Sequence, residues 1–237
     1  MNDANVICVI EGDMTRPAMR ARTARTERKS NARDTYHHGN LRAALMAATL
    51  ELLEEGGPEA VSVREAAKRA GVSAGAPFRH FPTRTALMTA VAEEATKRLK
   101  MEIARSVAAV ANADPLVRFH AFGTGYFRWV VRNKAMFLVV STRSLIDYDG
   151  SATIGPDNDD LRRQMDALIN EAAEKGLLRV SAVGAPVTLS ARAFVYGLAR
   201  MLIDGHLRHW KKPSEKPEEA MSRALDFFLA SLRKDPR

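Results

Sequence analysis

The chain has 237 residues, 46% hydrophobic and 27% charged, with a formal net charge of +8 and a pI of about 9.9. That is ordinary for a globular protein of one or two cored domains, and its single cysteine, Cys8, excludes an internal disulfide. No apolar run approaches the roughly 20 residues of a membrane span, and the VICVI stretch at 6–10 is too short and lacks the basic leader of a signal peptide, so the cytoplasm is the expected location and no membrane partner is expected.

A basic protein favours polyanions, yet between Tyr36 and His80 the excess vanishes. Arg42, Arg64, Lys68, Arg69 and Arg79 are matched there by Glu51, Glu54, Glu55, Glu59 and Glu65. A nucleic-acid argument must therefore rest on where the cations stand, not on bulk charge.

Residues 1–35 lack helical periodicity. Arg16, Arg20, Arg22, Arg25, Arg28, Lys29 and Arg33 make their second half basic, which predicts a disordered leader. It is read either as a solvated tail, with Met14 and Met19 as alternative starts, or as an arginine arm lying along phosphates or in a minor groove. From Asn40 to Glu55, Leu41, Leu45, Ala48 and Leu52 recur at helical spacing, and Gly56, Gly57 and Pro58 end that helix. Ser62 is placed to cap a second helix with Val63, Ala66, Ala67 and Ala70 on its apolar face. Gly71 stops it, because the turn calls for positive φ.

Ser73 offers a new N-cap, and Ala74 to Phe81 makes barely two turns, too short to be stable alone. A scaffold that holds such a helix presents its outer face, as a helix-turn-helix does in the DNA major groove. Pro77 removes an N–H near its start, which predicts a late or tight helix. Thr83 then caps a longer helix through Leu87, Val91, Ala95, Leu99 and Ile103, ending before Asp114-Pro115.

The second half reads as helical again. Pro115 to Arg132 carries Leu116, Phe119, Phe122, Tyr126, Phe127 and Trp129, with Gly123 and Gly125 either weakening the helix or allowing close packing. Asn133 separates it from an apolar piece, Ala135 to Ile146. Asp147 to Asp160 reads as a loop by composition. Leu161 to Lys175 is a helix stopped by Gly176, Val183 to Trp210 a long apolar helix entered near Pro186, and Glu218 to Leu232 a last helix bearing Met221, Leu225 and Phe228. No stretch alternates with period two, so the expected fold class is all-α.

The run VSVREAAKRAGVS at 61–73 followed by FRHFPTRTAL at 78–87 resembles the tetracycline-repressor (TetR) family of bacterial transcription regulators over about residues 36–90. Residues 192–205 are similar, more weakly, to a family branch with a W-A-x-x-H-G-x-A-x-L-x-x-D-G stretch, with Arg192 and Tyr196 in place of its Trp and His. After the leader at 1–35, the resemblance implies a three-helix DNA-binding domain at 36–82 and a helical ligand-binding and dimerisation domain at 83–237 entered by a connecting helix at 83–112. It implies a homodimer on a palindromic operator in double-stranded DNA, released when a small-molecule effector changes the separation of the two recognition helices. Half-sites on one face of the duplex repeat every 34–36 Å or so.

On this resemblance Ser62, Arg64, Ser73, Ala74, Gly75, Ala76, Phe78, Arg79, His80 and Arg84 are the expected DNA-binding residues. Arg79 suits guanine or phosphate, Arg64 a base or phosphate, and His80 and Arg84 phosphate. Phe78 stands where the family commonly has Tyr, so a phosphate hydrogen bond is lost there. Phe119, Phe122, Tyr126, Trp129, Phe137, Phe194, Tyr196 and Met201 are candidate effector contacts, with Arg143 beside Arg128 and Arg200 as polar anchors. The same aromatics read equally well as core. His206 and His209 with Asp204 are too few to hold a metal, and no metal or cofactor is expected. No catalytic signature is present, neither G-x-S-x-G, a phosphate loop, H-E-x-x-H nor paired cysteines, so an enzyme is not expected. The rival reading is a helical protein-interaction module without DNA binding.

Overall fold

The computed structural model describes residues 41–179, 182 and 186–234. The basic leader, the entry to the first helix and residues 183–185 lie outside the described residues. Contacts divide the chain into Met1–Ala43 and Ala44–Arg237, and of the first unit only residues 41–43 are described, in helical conformation.

Residues 41–56 are helical (α1). Leu45, Ala48 and Leu52 are buried as their spacing predicts, together with Leu53 and Thr49. The Thr49 hydroxyl donates to the Leu45 carbonyl at 2.7 Å, so no polar group is stranded in that face. Gly57, at φ 67°, turns the chain out of the helix, and a 3-10 turn, Pro58–Ala60, leads into α2 (Val63–Arg69). Ser62 Oγ accepts the Glu65 N–H at 3.0 Å, the expected N-cap. Gly71, at φ 68°, closes α2 in a Schellman arrangement. The Val72 N–H reaches the Ala67 carbonyl at 3.0 Å and the Gly71 N–H the Lys68 carbonyl at 3.1 Å.

The following segment is tighter than two α-turns. It is a single 3-10 turn, Ala76–Arg79, headed by Gly75 and without a side-chain cap. Ser73 supplies only its carbonyl, which accepts the Ala76 N–H at 3.1 Å. Pro77 accounts for this, because it has no N–H to give and its ring disfavours helical geometry in the residue before it.

Thr83 Oγ1 accepts the Ala86 N–H at 3.0 Å and starts α3 (Arg84–Ala108), whose Leu87, Val91, Ala95, Leu99 and Ile103 are all buried. Then come α4 (Pro115–Arg132), α5 (Lys134–Ser141) and a 3-10 turn, Arg143–Leu145. The next helix, α6 (Ile154–Glu174), begins inside the tract that composition assigned to a loop. Its Pro156 lies in the first turn, where an N–H has no intrahelical partner anyway, and its Asp157 suits the helix N-terminus. Lys100 of α3 ties that turn down, reaching Asp157 at 2.6 Å and Asp160 at 3.0 Å.

Gly176, at φ 64°, ends α6. Helix α7 (Val187–Ile203) is shorter than the long helix expected, because Gly205, at φ 77°, breaks it ahead of a 3-10 turn, His206–His209. Helix α8 is Pro217–Leu232. Among the described residues regular structure is helical throughout, apart from one isolated bridge between Leu178 and Arg233, as the all-α reading predicts. Helix α3 packs on α4, α5 and α6, and α4 also on α6, α7 and α8. The main core joins Ile103, Phe127, Phe137, Val195, Met221 and Leu225 from these helices.

The two α4 glycines are sites of close approach. A methyl at Gly125 would stand 2.7 Å from Ser106 Oγ and 3.1 Å from Ile103 Cα, whereas one at Gly123 would press only on Leu225 Cδ2, at 2.5 Å. Alanine gains about 1 kcal/mol of helix propensity over glycine, and overpacking costs about 1–3 kcal/mol. At Gly125 the obstacle includes backbone, so we expect Gly125→Ala to be destabilising by about 1 kcal/mol in urea unfolding. At Gly123 the leucine tip can rotate, and Gly123→Ala should be near neutral.

Asp114 caps α4 by accepting the Leu116 and Val117 N–H groups at 2.9 and 3.1 Å. Burial pushes its carboxyl up but is outweighed by the Val117 N–H, the Arg233 guanidinium and the Leu116 N–H, which hold it below the ordinary range. Its stabilising effect is therefore complete above the unfolded value of about 3.9 and is lost as pH falls through the depressed folded value. Asp114→Ala should cost about 1 kcal/mol at neutral pH, and the gap between wild type and variant in melting experiments should narrow in that acid window.

Candidate nucleic-acid interface and effector cavity

Two parts of the chain carry functional geometry. The first is built by α2, the turn after it and the start of α3. In the 73–80 stretch Ser73, Ala74, Gly75, Phe78 and Arg79 are exposed and Ala76 and His80 half-buried. Pro77 points inward and is buried, and Phe81 beyond it is 2% exposed. The Pro77 carbonyl accepts both the His80 and the Phe81 N–H, each at 2.9 Å. The turn is thus pinned by its proline and the following phenylalanine, leaving Phe78 and Arg79 on the free side.

Charge is sorted on this surface in a way the composition hides. Arg69 of α2 grips Glu55 of α1 with both guanidinium nitrogens, at 2.8 and 2.6 Å, and reaches Glu51 at 3.3 Å. These bonds hold the Glu55 carboxyl below its ordinary range. Lys68 lies 3.5 Å from Glu65. Of the five glutamates that cancel the cations on paper, Glu51, Glu55 and Glu65 are therefore occupied by Arg69 and Lys68. Arg64 and Arg79 are exposed and have no carboxylate partner among the described residues. Ser62, exposed beside Arg64, keeps its hydroxyl on the helix cap.

Arg84 stands differently. Its Nε donates to the Val61 carbonyl at 2.9 Å and its Nη2 to the Pro58 carbonyl at 2.7 Å. The side chain staples the start of α3 to the turn between α1 and α2.

The second part is a cavity of about 790 Å³ walled by α3, α4, α6 and α7, within the usual range for small-molecule sites. Of the residues expected to meet an effector, Phe119, Phe122, Tyr126, Arg143 and Tyr196 line it. Trp129 and Phe137 are buried in the core. Phe194 stacks on Phe228 at 5.1 Å between α7 and α8, Met201 packs against the core, and Arg128 pairs with Glu102 and Glu218. Arg200 is bound to Asp204. None of these six lines the cavity.

Arg192, absent from that expectation, does line it. Its guanidinium carbon lies 5.4 Å from the Tyr126 ring centre and 5.7 Å from that of Tyr196. A signal was available, since both departures from the branch motif, Arg192 and Tyr196, are four residues apart and so share a helix face. The 142–160 segment adds Arg143, Tyr148, Asn158 and Asp159 to the wall. The same segment is bonded to α3, with the Asp147 N–H on Thr89 Oγ1 at 2.9 Å and the Ser151 hydroxyl on Glu93 at 2.9 Å.

Among the described residues no group of three or more His, Cys, Asp or Glu is placed to hold a metal ion, and no helix is long and apolar enough to cross a membrane.

Comparison with known proteins identifies the first of these parts. Residues 45–91 match the profile of bacterial regulatory proteins of the tetR family. Over 135 residues the chain is 28% identical to the HTH-type transcriptional repressor KstR of Mycobacterium tuberculosis, a match covering 57% of this chain and 59% of that protein. The chain thus spans less than two thirds of the length of that relative. Among solved structures, a protein of unknown function from Rhodococcus sp. RHA1 is similar at a TM-score of 0.65 and 25% identity, over 84% of this chain and 98% of the other. AibR, solved in complex with isovaleryl coenzyme A and operator DNA, shares the fold at a TM-score of 0.62 and 16% identity, over 81% of this chain and 98% of that one. Most of α1, the capped α2, the Gly71 turn and the Thr83 start of α3 lie inside the matched segment, so residues 45–91 are similar to the bacterial regulatory proteins of the tetR family.

Proposed function

We propose that this protein is a ligand-responsive, sequence-specific DNA-binding transcriptional regulator, a repressor released from its operator by a small molecule, working as a homodimer in the cytoplasm without catalytic activity. The observation that carries the reading is the placement of Arg64 and Arg79. They are exposed on α2 and on the braced turn and have no carboxylate partner among the described residues, in a segment where Arg69 and Lys68 pair with Glu51, Glu55 and Glu65. A cation held outward beside a protruding turn can donate to base edges or phosphates at little cost in lost ion pairs. KstR of Mycobacterium tuberculosis, 28% identical over 135 residues, is named a repressor, and AibR was solved with isovaleryl coenzyme A and operator DNA.

In this reading residues 36–82 form the DNA-binding domain and 83–237 the effector and dimerisation domain. Helix α3 belongs to both tasks. It starts next to the braced turn, and about 22 Å further along it gives Leu99 and Ile103 to the cavity wall. An effector that changes the wall tilts this helix and spoils the spacing of two half-sites at once.

The dimer surface is assigned to α7 and α8. Phe227 on α8 is 81% exposed, and Trp210, after the 3-10 turn that follows α7, is 78% exposed, apolar surface that a partner subunit would cover. Phe227→Glu should convert a dimer to monomers in sedimentation equilibrium, and a sedimentation profile unchanged by it would remove this surface.

A gel shift at stated salt against the DNA flanking its own gene separates regulation from the rival protein-interaction module. Arg64→Ala and Arg79→Ala should each weaken specific binding by about 1–3 kcal/mol and leave the melting temperature unchanged. Arg84→Met, which strands two carbonyls, should lower the melting temperature with no DNA present.

A further inference from the structure

The cavity wall is apolar over most of its extent, through Leu99, Ile103, Phe119, Phe122, Met165 and Val195. Three guanidinium groups interrupt it, and they are not equivalent. Arg162 is held between Asp166, at 3.2 Å, and Asp159, at 3.7 Å. Arg143 lies over the Tyr148 ring at 3.4 Å and reaches Asp149 at 3.9 Å. Arg192, exposed at the rim, has no carboxylate within ion-pair distance among the described residues, and it stands beside the side chains of Tyr126 and Tyr196.

Those rings do not satisfy it. Cation–π attraction fades at about 6 Å, and both ring centres lie close to that limit. Five N–H donors in a fork are matched by carboxylate or phosphate oxygens and by no ring face. Nor does either tyrosine cancel the charge. The Tyr196 hydroxyl donates to the Ser141 carbonyl at 3.3 Å. Burial pushes the Tyr126 phenol above its ordinary range despite the pull of Arg192, so it stays neutral at physiological pH. A cation at the edge of a largely apolar chamber, with two aromatic hydroxyl groups beside it, is an anchor for a charge of the opposite sign.

Taking the cavity as the effector site, we propose that it receives an amphipathic anion, an apolar body lying against Ile103, Phe119 and Phe122 with its carboxylate or other anionic head on Arg192 between Tyr126 and Tyr196. The head forms charge-assisted hydrogen bonds to the guanidinium fork, which are about twice as strong as neutral ones, while the apolar walls take the rest of the molecule.

The test uses the full chain and the neutral fluorophore N-phenyl-1-naphthylamine as a reporter of cavity occupancy. Decanoate and 1-decanol, equal in chain length and differing in charge, compete it off. Decanoate should compete on the order of tenfold better than decanol. Arg192→Met should bring the two to parity while reporter binding persists, which shows that the cavity survives, and Arg192→Lys should keep part of the preference. Equal competition by the two in the wild-type protein, a preference that survives Arg192→Met, or failure of the reporter to bind would each overturn the proposal. The same titrations repeated on the operator complex separate it from the functional reading. Selective decanoate binding without any change in operator affinity upholds the anion site and refutes effector control. Operator release by decanol as readily as by decanoate upholds effector control and refutes the anion site.

Discussion

A turn of four residues cannot hold its own shape. One hydrogen-bonded turn fixes several dihedral angles for very little return, and Ala76–Arg79 has no side-chain cap to help it. Its conformation is imposed from outside. Gly71 sets the approach through its left-handed backbone, Pro77 sinks into the small core, Phe81 anchors the exit, and Arg84 fastens the start of α3 to the carbonyls of residues 58 and 61. With every restraint on the inner side, the outer side is left with no packing duty. Phe78 and Arg79 can therefore be chosen for what they touch outside the molecule.

The same division of labour governs the charges. A surface that reads a polyanion gains nothing from cations already neutralised at home. Arg69 and Lys68 serve helix-to-helix and intrahelical contacts, and their carboxylates are thereby kept away from Arg64 and Arg79. Exposed pairs of this kind add little stability. Their larger effect here is on which guanidinium groups remain available.

How much of this could be read from the chain depends on how local each cause is. The caps at Ser62 and Thr83 and the stops at Gly71 and Gly176 are decided within four or five residues, and they stand where the sequence placed them. The tract before residue 161 misled because Pro, Asp, Asn and Gly mark turns and helix first turns alike. Only Lys100, some sixty positions earlier, reveals that Asp157 and Asp160 belong to a helix. The pairing of Arg69 with Glu51 and Glu55 is equally non-local. Core and cavity aromatics were indistinguishable for a geometric reason. Phe119, Phe122, Phe127 and Trp129 share one helix, and only its rotation against α6 and α7 decides which of them meet empty space. Arg192 was visible only as an oddity in a motif, with no hint of what it faced.

The missing side chain at position 125 has a mechanical meaning. Where α4 crosses α3 the two backbones touch almost directly, Gly125 lying against Ser106 and Ile103, and near-contact of main chains leaves no soft layer of rotamers to absorb a push. Such a junction behaves as a weld rather than a bearing. A guest that nudges Phe119 or Phe122 on one rod must swing the other with it, so the displacement arrives at the far end undamped.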